Sequence, residues 1–384
     1  MNWSRGSTLG GLIQPRAALL DRVALPGILG VALLTRVYGL GRESLWLDEA
    51  TSLMLARMDL AHLIAWTARD VHPPLYYVLL HCWIALGQSE VGIRGLSVLA
   101  GVLNVLVIFG LARSLFQATA YARRIGLYAA LLLASDPFHI WYSQEARMYA
   151  CVALLGTASL ALTLHFLSRR RPLRWLVYVV VTAAGLYTHY YVLFVILVEN
   201  LLCLYLISRR RLRTRTVLAW LAAQLAVVAL FFPWLPNLLN IVGGGGGWLA
   251  FSEGKPSVAV LVQTAISYAI GTTRALYPAL LRRLGYTLFA AALSLALWPR
   301  RRGHEAAGRS EEALLTSGEA TGLCVLYLGL PLVLAWGMSQ LFKPIFSARY
   351  MLPFLIPFLL LVALGIARLR QALARGALLV AILS

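Results

Sequence analysis

The feature that most constrains this chain is a succession of apolar runs, each near the roughly 20 residues that cross a bilayer, separated by short arginine clusters. The clusters are Arg113 with Arg123 and Arg124; Arg169, Arg170, Arg171 and Arg174; Arg209, Arg210, Arg211, Arg213 and Arg215; Arg300, Arg301 and Arg302; and Arg368, Arg370 and Arg375. Between successive clusters the apolar stretches are long enough for two crossings, so every cluster can face the cytoplasm. The spans expected are 23–40, 93–113, 125–141, 149–168, 175–190, 191–207, 216–235, 283–298, 321–338 and 350–367. Residues 376–384 begin a further run that ends too soon to cross. The fold class is therefore an all-α polytopic membrane protein of about 10–11 transmembrane helices, its N-terminus cytoplasmic.

Composition agrees: 60% of residues are hydrophobic and 13% charged. The net charge of +19 raises nucleic acid as a partner. The arginines sit between apolar runs, however, with no basic-aromatic platform, so no nucleic acid is expected. Cys82, Cys151, Cys203 and Cys324 are scattered without a CxxC, which indicates neither a disulfide framework nor a zinc site. The N-terminus lacks a small-residue cleavage site, so 23–40 reads as an uncleaved first span.

One segment resists plain hydropathy. Residues 74–87 are apolar but only about 14 long, which favours an interfacial helix. Counting them as a span would place the next three arginine clusters outside, which the charge rule rejects. The whole of 41–92 is therefore a first external loop with juxtamembrane helices on the outer face. Within it, Asp59 can cap an amphipathic helix that turns Leu60, Leu63, Ile64 and Trp66 to lipid. The other outer segments are 142–149, the turn at His189 and Tyr190, a long loop 236–282 with a glycine run at 243–247, and 339–349. That run has no side chains to order it, and reads equally as a lid or a linker. No repeat of 20–50 residues is present, so the chain reads as a single transmembrane domain over 1–384.

Acids are scarce, 15 in 384 residues, yet Glu43, Asp48, Glu49, Asp59 and Asp70 fall inside the first loop. The outer face also collects His72, Glu90, Arg94, Glu145, Arg147, Tyr149, His189, Lys343, Arg349 and Tyr350. Acids and arginines together at a lipid–water boundary suit a phosphate-bearing lipid and an acid–base reaction. The guanidinium fork matches phosphate oxygens, and a carboxylate can take a proton from an attacking hydroxyl. Asp48 and Glu49 are neighbours, so on a helix they point about 100° apart and cannot serve one atom alike. Pro73 and Pro74 stiffen the entry to the interfacial helix and pin Asp70 and His72 beside it. Glu199 and Asn104, mid-span, read as interhelical hydrogen-bonders. There is no GxGxxG, GxxxxGK[ST], HExxH or Asp-x-Asp pair, so a nucleotide-sugar enzyme with a Rossmann-like domain is unsupported.

These residues resemble the GT-C superfamily, the membrane glycosyltransferases that use polyprenyl-phosphate sugars: protein O-mannosyltransferases, aminoarabinose transferases and Rgt-type transferases. The resemblance rests on Leu45-Trp46-Leu47-Asp48-Glu49-Ala50 and on Asp70-Val71-His72-Pro73-Pro74-Leu75-Tyr76-Tyr77. It continues through Glu90-x-x-x-Arg94, Ser143-Gln144-Glu145-Ala146-Arg147-Met148-Tyr149, Tyr187-Thr188-His189-Tyr190-Tyr191 and Arg349-Tyr350-Met351-Leu352-Pro353. It implies that Asp48 is the catalytic base and Glu49 its support. Asp70, His72, Arg94, Glu145, Arg147, Tyr149, His189, Lys343, Arg349 and Tyr350 are then the substrate-binding set.

The chain departs from the mannosyltransferases after Pro73-Pro74, where it has Tyr76-Tyr77, and from the aminoarabinose enzymes before the prolines, where it has Val71-His72. The resemblance leaves a divalent metal open, with Asp48 and Asp70 as its candidate ligands. It implies an inverting glycosyltransferase of the cell membrane, working on the extracytoplasmic face. Its partners would be a polyprenyl-phosphate-linked sugar donor, a lipid, glycan or protein acceptor, and the bilayer. Two rivals are a lipid or solute transporter, which would line a midplane pathway with ionisable residues, and a non-catalytic subunit of a glycan-assembly complex.

Overall fold

The computed structural model describes residues 10–168, 172–243, 254–271, 279–298 and 313–383. The chain is a polytopic helical membrane protein, with no strand among the described residues. In order its helices are α1 (Gly10–Val37), α2 (Leu47–Ala56), α3 (Leu60–Thr67), α4 (Leu75–Trp83), α5 (Glu90–Leu115), α6 (Ala122–Ser135), α7 (Pro137–Ser143), α8 (Tyr149–Ser168) and α9 (Pro172–Thr188). There follow α10 (Val192–Ser208), α11 (Thr214–Phe231), α12 (Leu235–Gly243), α13 (Ala259–Ile270), α14 (Ala279–Leu297), α15 (Ser317–Leu341), α16 (Leu355–Arg368) and α17 (Ala372–Leu383).

The centre is α16 with the 3-10 turn Ala348–Phe354 that leads into it. From Tyr350 to Ala367 this stretch is apolar and buried along its length, as a helix enclosed by others must be. Helices α6, α14 and α15 pack on α16, α8 packs on the 3-10 turn, and α5 lies against both α6 and α8. Glycines permit two of the closest approaches. A Cβ at Gly126 would sit 2.9 Å from the Phe109 ring of α5, and one at Gly365 would strike the Ala292 carbonyl of α14. On α1, Ile28, Ala32 and Arg36 fall at four-residue spacing and form its buried stripe. The outer layer (α9, α10 and α11) turns leucines such as Leu218 and Leu225 outward, an apolar surface suited only to lipid.

Each expected span falls on a helix, but not every one at full length. Among the described residues six helical segments are long and apolar enough to cross alone; the helices at 23–40, 175–190 and 191–207 belong to the shorter apolar class. The span 125–141 is broken. Asp136, just before Pro137, is held extended at φ −69°, ψ 119°, so α6 stops at Ser135 and α7 begins with proline in its first turn. The expected loop 236–282 also contains structure, since α12 and α13 occupy its described parts. The glycines 244–247 lie outside the described residues. The terminal run forms α17, a short helix of 12 residues.

The first loop is helical as expected. Asp59 caps α3 by accepting the His62 backbone N–H at 3.1 Å. Leu60, Ile64 and Trp66 are exposed, whereas Leu63 turns inward and is fully buried. Residues 74–87 form the short helix α4 and a 3-10 turn, closed by Gly87 at φ 157°, where only glycine is at ease.

Candidate active site

Helix α2 begins at Leu47, which puts Asp48 and Glu49 in its first turn and aims them in different directions. Glu49 points inward and is fully buried. Its Oε1 accepts from Arg94 Nε at 2.8 Å and from the Ala146 backbone N–H at 2.8 Å. Its Oε2 accepts from Arg94 Nη2 at 2.7 Å and from the Trp46 N–H at 3.4 Å. Arg94 also donates to the carbonyls of Leu40, Glu43 and Ser44 at 2.6, 3.0 and 3.3 Å. All five of its N–H groups are thus engaged by protein. Arg94 fastens the 40–49 link to α5, and Glu49 ties the same link to the segment before α8.

Asp48 faces the other way, part-exposed, between two guanidiniums. Arg349 Nη1 donates to its Oδ2 at 3.1 Å, and Arg147 Nη2 lies 4.0 Å from the same oxygen. Arg147 is buried but loosely held. Its Nη1 reaches the Asp48 carbonyl at 3.4 Å, Ser52 Oγ at 3.4 Å and Tyr77 Oη at 3.3 Å, and its Nε has no hydrogen-bond partner. Burial works against its charge, but Tyr77, Tyr149 and Asp48 keep it charged above the usual arginine range. Both guanidiniums lie 5.8 Å from the Tyr149 ring.

A second group completes the surface. Asp70 Oδ2 lies 3.5 Å from His72 Nδ1, and His72 Nε2 lies 3.5 Å from Tyr350 Oη. The His189 ring sits 4.7 Å from Tyr350 and 5.8 Å from His72. Burial pushes the Asp70 carboxyl up, but His72 outweighs it and holds Asp70 below the ordinary carboxylate range. Burial drives both imidazoles down, so they stay neutral at pH 7. Neutral His72 then carries its proton on Nδ1, toward Asp70, and accepts from the Tyr350 hydroxyl.

Two expected members stand apart. Lys343 Nζ donates to the Ile241 carbonyl at 3.0 Å, tying its segment to α12, and forms no ion pair with Asp48 or Asp70. Glu145 accepts from Trp141 Nε1 at 2.8 Å through Oε1, while its Oε2 has no partner. Burial raises its pKa to about 7. Metal ligation by Asp48 and Asp70 does not fit. Asp48 is flanked by two cations, Asp70 is paired with His72, and no three His, Cys, Asp or Glu residues converge among the described residues. Glu199 accepts from Ser159 and Tyr178 at 2.7 and 2.9 Å, the interhelical role its position suggests. Asn104 bonds His139 at 3.2 Å.

Sequence reasoning overlooked Ser52, Tyr77 and Arg36. Ser52 lies four residues after Asp48, so its place on the same helical face was legible. Arg36 is fully buried at the end of α1, bonded to the carbonyls of Ala134 and Leu133 and to His139 Nδ1 at 2.9 Å. Since arginine only donates, His139 accepts through Nδ1 and carries its proton on Nε2; the Asn104 amide facing it accepts when its Oδ1, otherwise without a partner, is the atom turned to the ring.

The profile of the dolichyl-phosphate-mannose-protein mannosyltransferase family matches residues 71–236. That stretch holds His72, Arg94 and the 144–149 segment. Among solved structures, ArnT from Cupriavidus metallidurans superposes with a TM-score of 0.62 at 15% identity, over 92% of this chain and 61% of that one. The archaeal oligosaccharyltransferase AglB from Archaeoglobus fulgidus gives 0.54 at 12%, over 90% and 50%. The arabinosyltransferase EmbB from Mycobacterium smegmatis gives 0.51 at 17%, over 89% and 30%.

The chain has the GT-C fold. It spans less than two thirds of the length of each of these structures. Comparison with curated proteins finds no match by sequence. In GT-C terms, the expected base motif, the Asp70–His72 turn and the Arg349 turn converge on one end of the helix bundle.

Proposed function

We propose that this chain is an inverting glycosyltransferase that moves a sugar from a polyprenyl-phosphate donor to an acceptor hydroxyl on the outer face of the membrane. The observation that carries this reading is the arrangement around Asp48. A part-exposed carboxylate lies between two guanidiniums, one of which, Arg147, is buried and has no strong partner. A buried cation so weakly satisfied is complementary to a bound anion, and a phosphate would supply charge-assisted bonds to both arginines. ArnT has been solved with undecaprenyl phosphate bound, which supports the choice of donor.

In the proposed step Asp48 accepts the proton of the acceptor hydroxyl as its oxygen attacks the anomeric carbon. The bond from that carbon to the phosphate oxygen breaks, and its electron pair leaves with the polyprenyl phosphate. Attack opposite the leaving group inverts the centre, through an oxocarbenium-like transition state. Arg147 and Arg349 neutralise the charge that develops on the phosphate, so no general acid is required. Asp70, His72, His189 and Tyr350 form the neighbouring wall and position the sugar.

The test uses the purified chain in lipid nanodiscs with a panel of polyprenyl-phosphate sugars, following release of polyprenyl phosphate. Release from at least one donor, abolished by Asp48→Asn, is expected. No release from any donor, together with no binding of polyprenyl phosphate itself, would overturn the reading.

A further inference from the structure

Beside the Asp48 site lies a cavity of about 470 Å³ that the donor chemistry does not use. Trp46 and Trp141, 42% and 45% exposed, line it together with Arg42, Glu43 and Glu145. The Glu49–Arg94 ion pair forms part of its wall. We propose that this cavity is a saccharide-binding subsite for the acceptor, so that the chain glycosylates a carbohydrate rather than a protein side chain; this rests on the transferase reading above.

The chemistry of the lining favours a sugar. A pyranose presents apolar C–H faces and a ring of hydroxyls, so it needs flat apolar walls beside fixed hydrogen-bond acceptors. Trp46 and Trp141 offer rigid apolar faces of that kind. Glu145 offers the polar partner: Trp141 Nε1 fixes its Oε1 at 2.8 Å, while its Oε2, which carries the proton when the carboxyl is neutral, has no partner. A ligand hydroxyl hydrogen-bonded to that oxygen would satisfy a group that is otherwise costly to leave unpaired. The Glu49–Arg94 wall is internally satisfied and close to neutral, which suits an uncharged ligand. A peptide acceptor would be held differently, through an extended backbone on a sheet edge or in a groove. The described residues offer no strand edge here. The cavity shares α2 with the proposed base: Glu49 in its wall directly follows Asp48, whose side chain is on the other face of that helical turn.

The full chain in nanodiscs would be examined by ligand-observed saturation-transfer NMR. The probes are methyl pyranosides of glucose, galactose, mannose, N-acetylglucosamine, rhamnose and arabinose, with a serine-containing peptide for contrast. At least one glycoside should bind saturably, and Trp141→Ala and Trp46→Ala should each weaken it tenfold or more. Trp141→Phe, which keeps a flat ring, should recover part of the loss, and melting curves would show that the variants remain folded. Titration of polyprenyl phosphate into the same samples reads the donor site separately. Polyprenyl phosphate binding with no glycoside binding would overturn this inference alone, as would glycoside binding untouched by both tryptophan variants, which leaves the indoles as interface anchors only. Glycoside binding without polyprenyl phosphate binding would remove the transferase reading and the acceptor role with it.

Discussion

Arg349 donates to Asp48 Oδ2 at 3.1 Å, joining the first helix of the 41–92 loop to the turn that leads into the central helix. That contact uses one of the five N–H donors of the guanidinium, so a phosphate can be gripped by the others while Asp48 stays held. Arg147→Ala and Arg349→Ala should each weaken polyprenyl-phosphate binding, by about 1.5–3 kcal/mol for a lost charge-assisted bond. Lysine should recover only part, since it lacks the planar fork. Calorimetric titration decides the matter, and unchanged affinity in both variants would remove the phosphate site.

Asp48→Asn keeps the shape of the side chain and its contact to Arg349 while removing the base. Loss of a general base costs on the order of 10²–10⁴ in rate. Turnover should fall by that factor with donor affinity near that of the wild type. A variant that transferred sugar at the normal rate would place the base elsewhere.

Glu49 and Arg94 should behave differently. Removing one member of a buried pair strands the other, at a typical cost of about 3–5 kcal/mol. Arg94→Ala and Glu49→Ala should therefore lower the melting temperature sharply, and Arg94→Lys should fail to restore the bidentate contact. If Arg94→Ala melted like the wild type but lost donor affinity, the phosphate role first expected of Arg94 would return.

The divergence of the Asp48 and Glu49 side chains was legible in the sequence, because neighbouring residues on a helix diverge by about 100°. Which of them turns inward was not. That depends on Arg94 arriving 45 residues later with its fork aligned, a packing relation with no local signature. The helix bundle was legible for the opposite reason, since each span is a long apolar run that needs no partner to be recognised. Hydropathy failed at Asp136-Pro137, where the apolar run continues through a backbone break that only proline chemistry marks. It also missed α12 and α13, whose short apolar turns resemble loop next to a glycine run.

Glu145 predicts a pH dependence of stability. Burial raises its folded pKa to about 7 from the ordinary glutamate value of 4.5, so the folded state holds a proton that the unfolded chain has released. Where the folded state binds more protons, stability falls as pH rises. The loss should accumulate from about pH 4.5 to about pH 7 and then level off. Glu145→Gln should flatten that slope and raise the melting temperature at pH 8 relative to the wild type. Parallel pH profiles for the two proteins would refute a buried, protonated Glu145.

The last prediction concerns sidedness. Residues 74–87 form α4 and a 3-10 turn, shorter than a crossing requires, and Gln88 follows on the exposed surface, where Arg57 donates to its side chain at 2.8 and 3.1 Å. If 41–92 stays on the outer side, every arginine cluster faces the cytoplasm. If α4 crossed, the next three clusters would be exported, against the charge rule. A cysteine at Gln88 should therefore react with an impermeant thiol reagent added to intact cells. Among the native cysteines Cys82 is exposed and Cys151, Cys203 and Cys324 are buried, so the background must be Cys82→Ser. A second reporter at Arg211, at the far end of α10, should label only after permeabilisation. Labelling of the Gln88 position only after permeabilisation, with the Arg211 position reactive in intact cells, would invert the protein and move the proposed site to the cytoplasm.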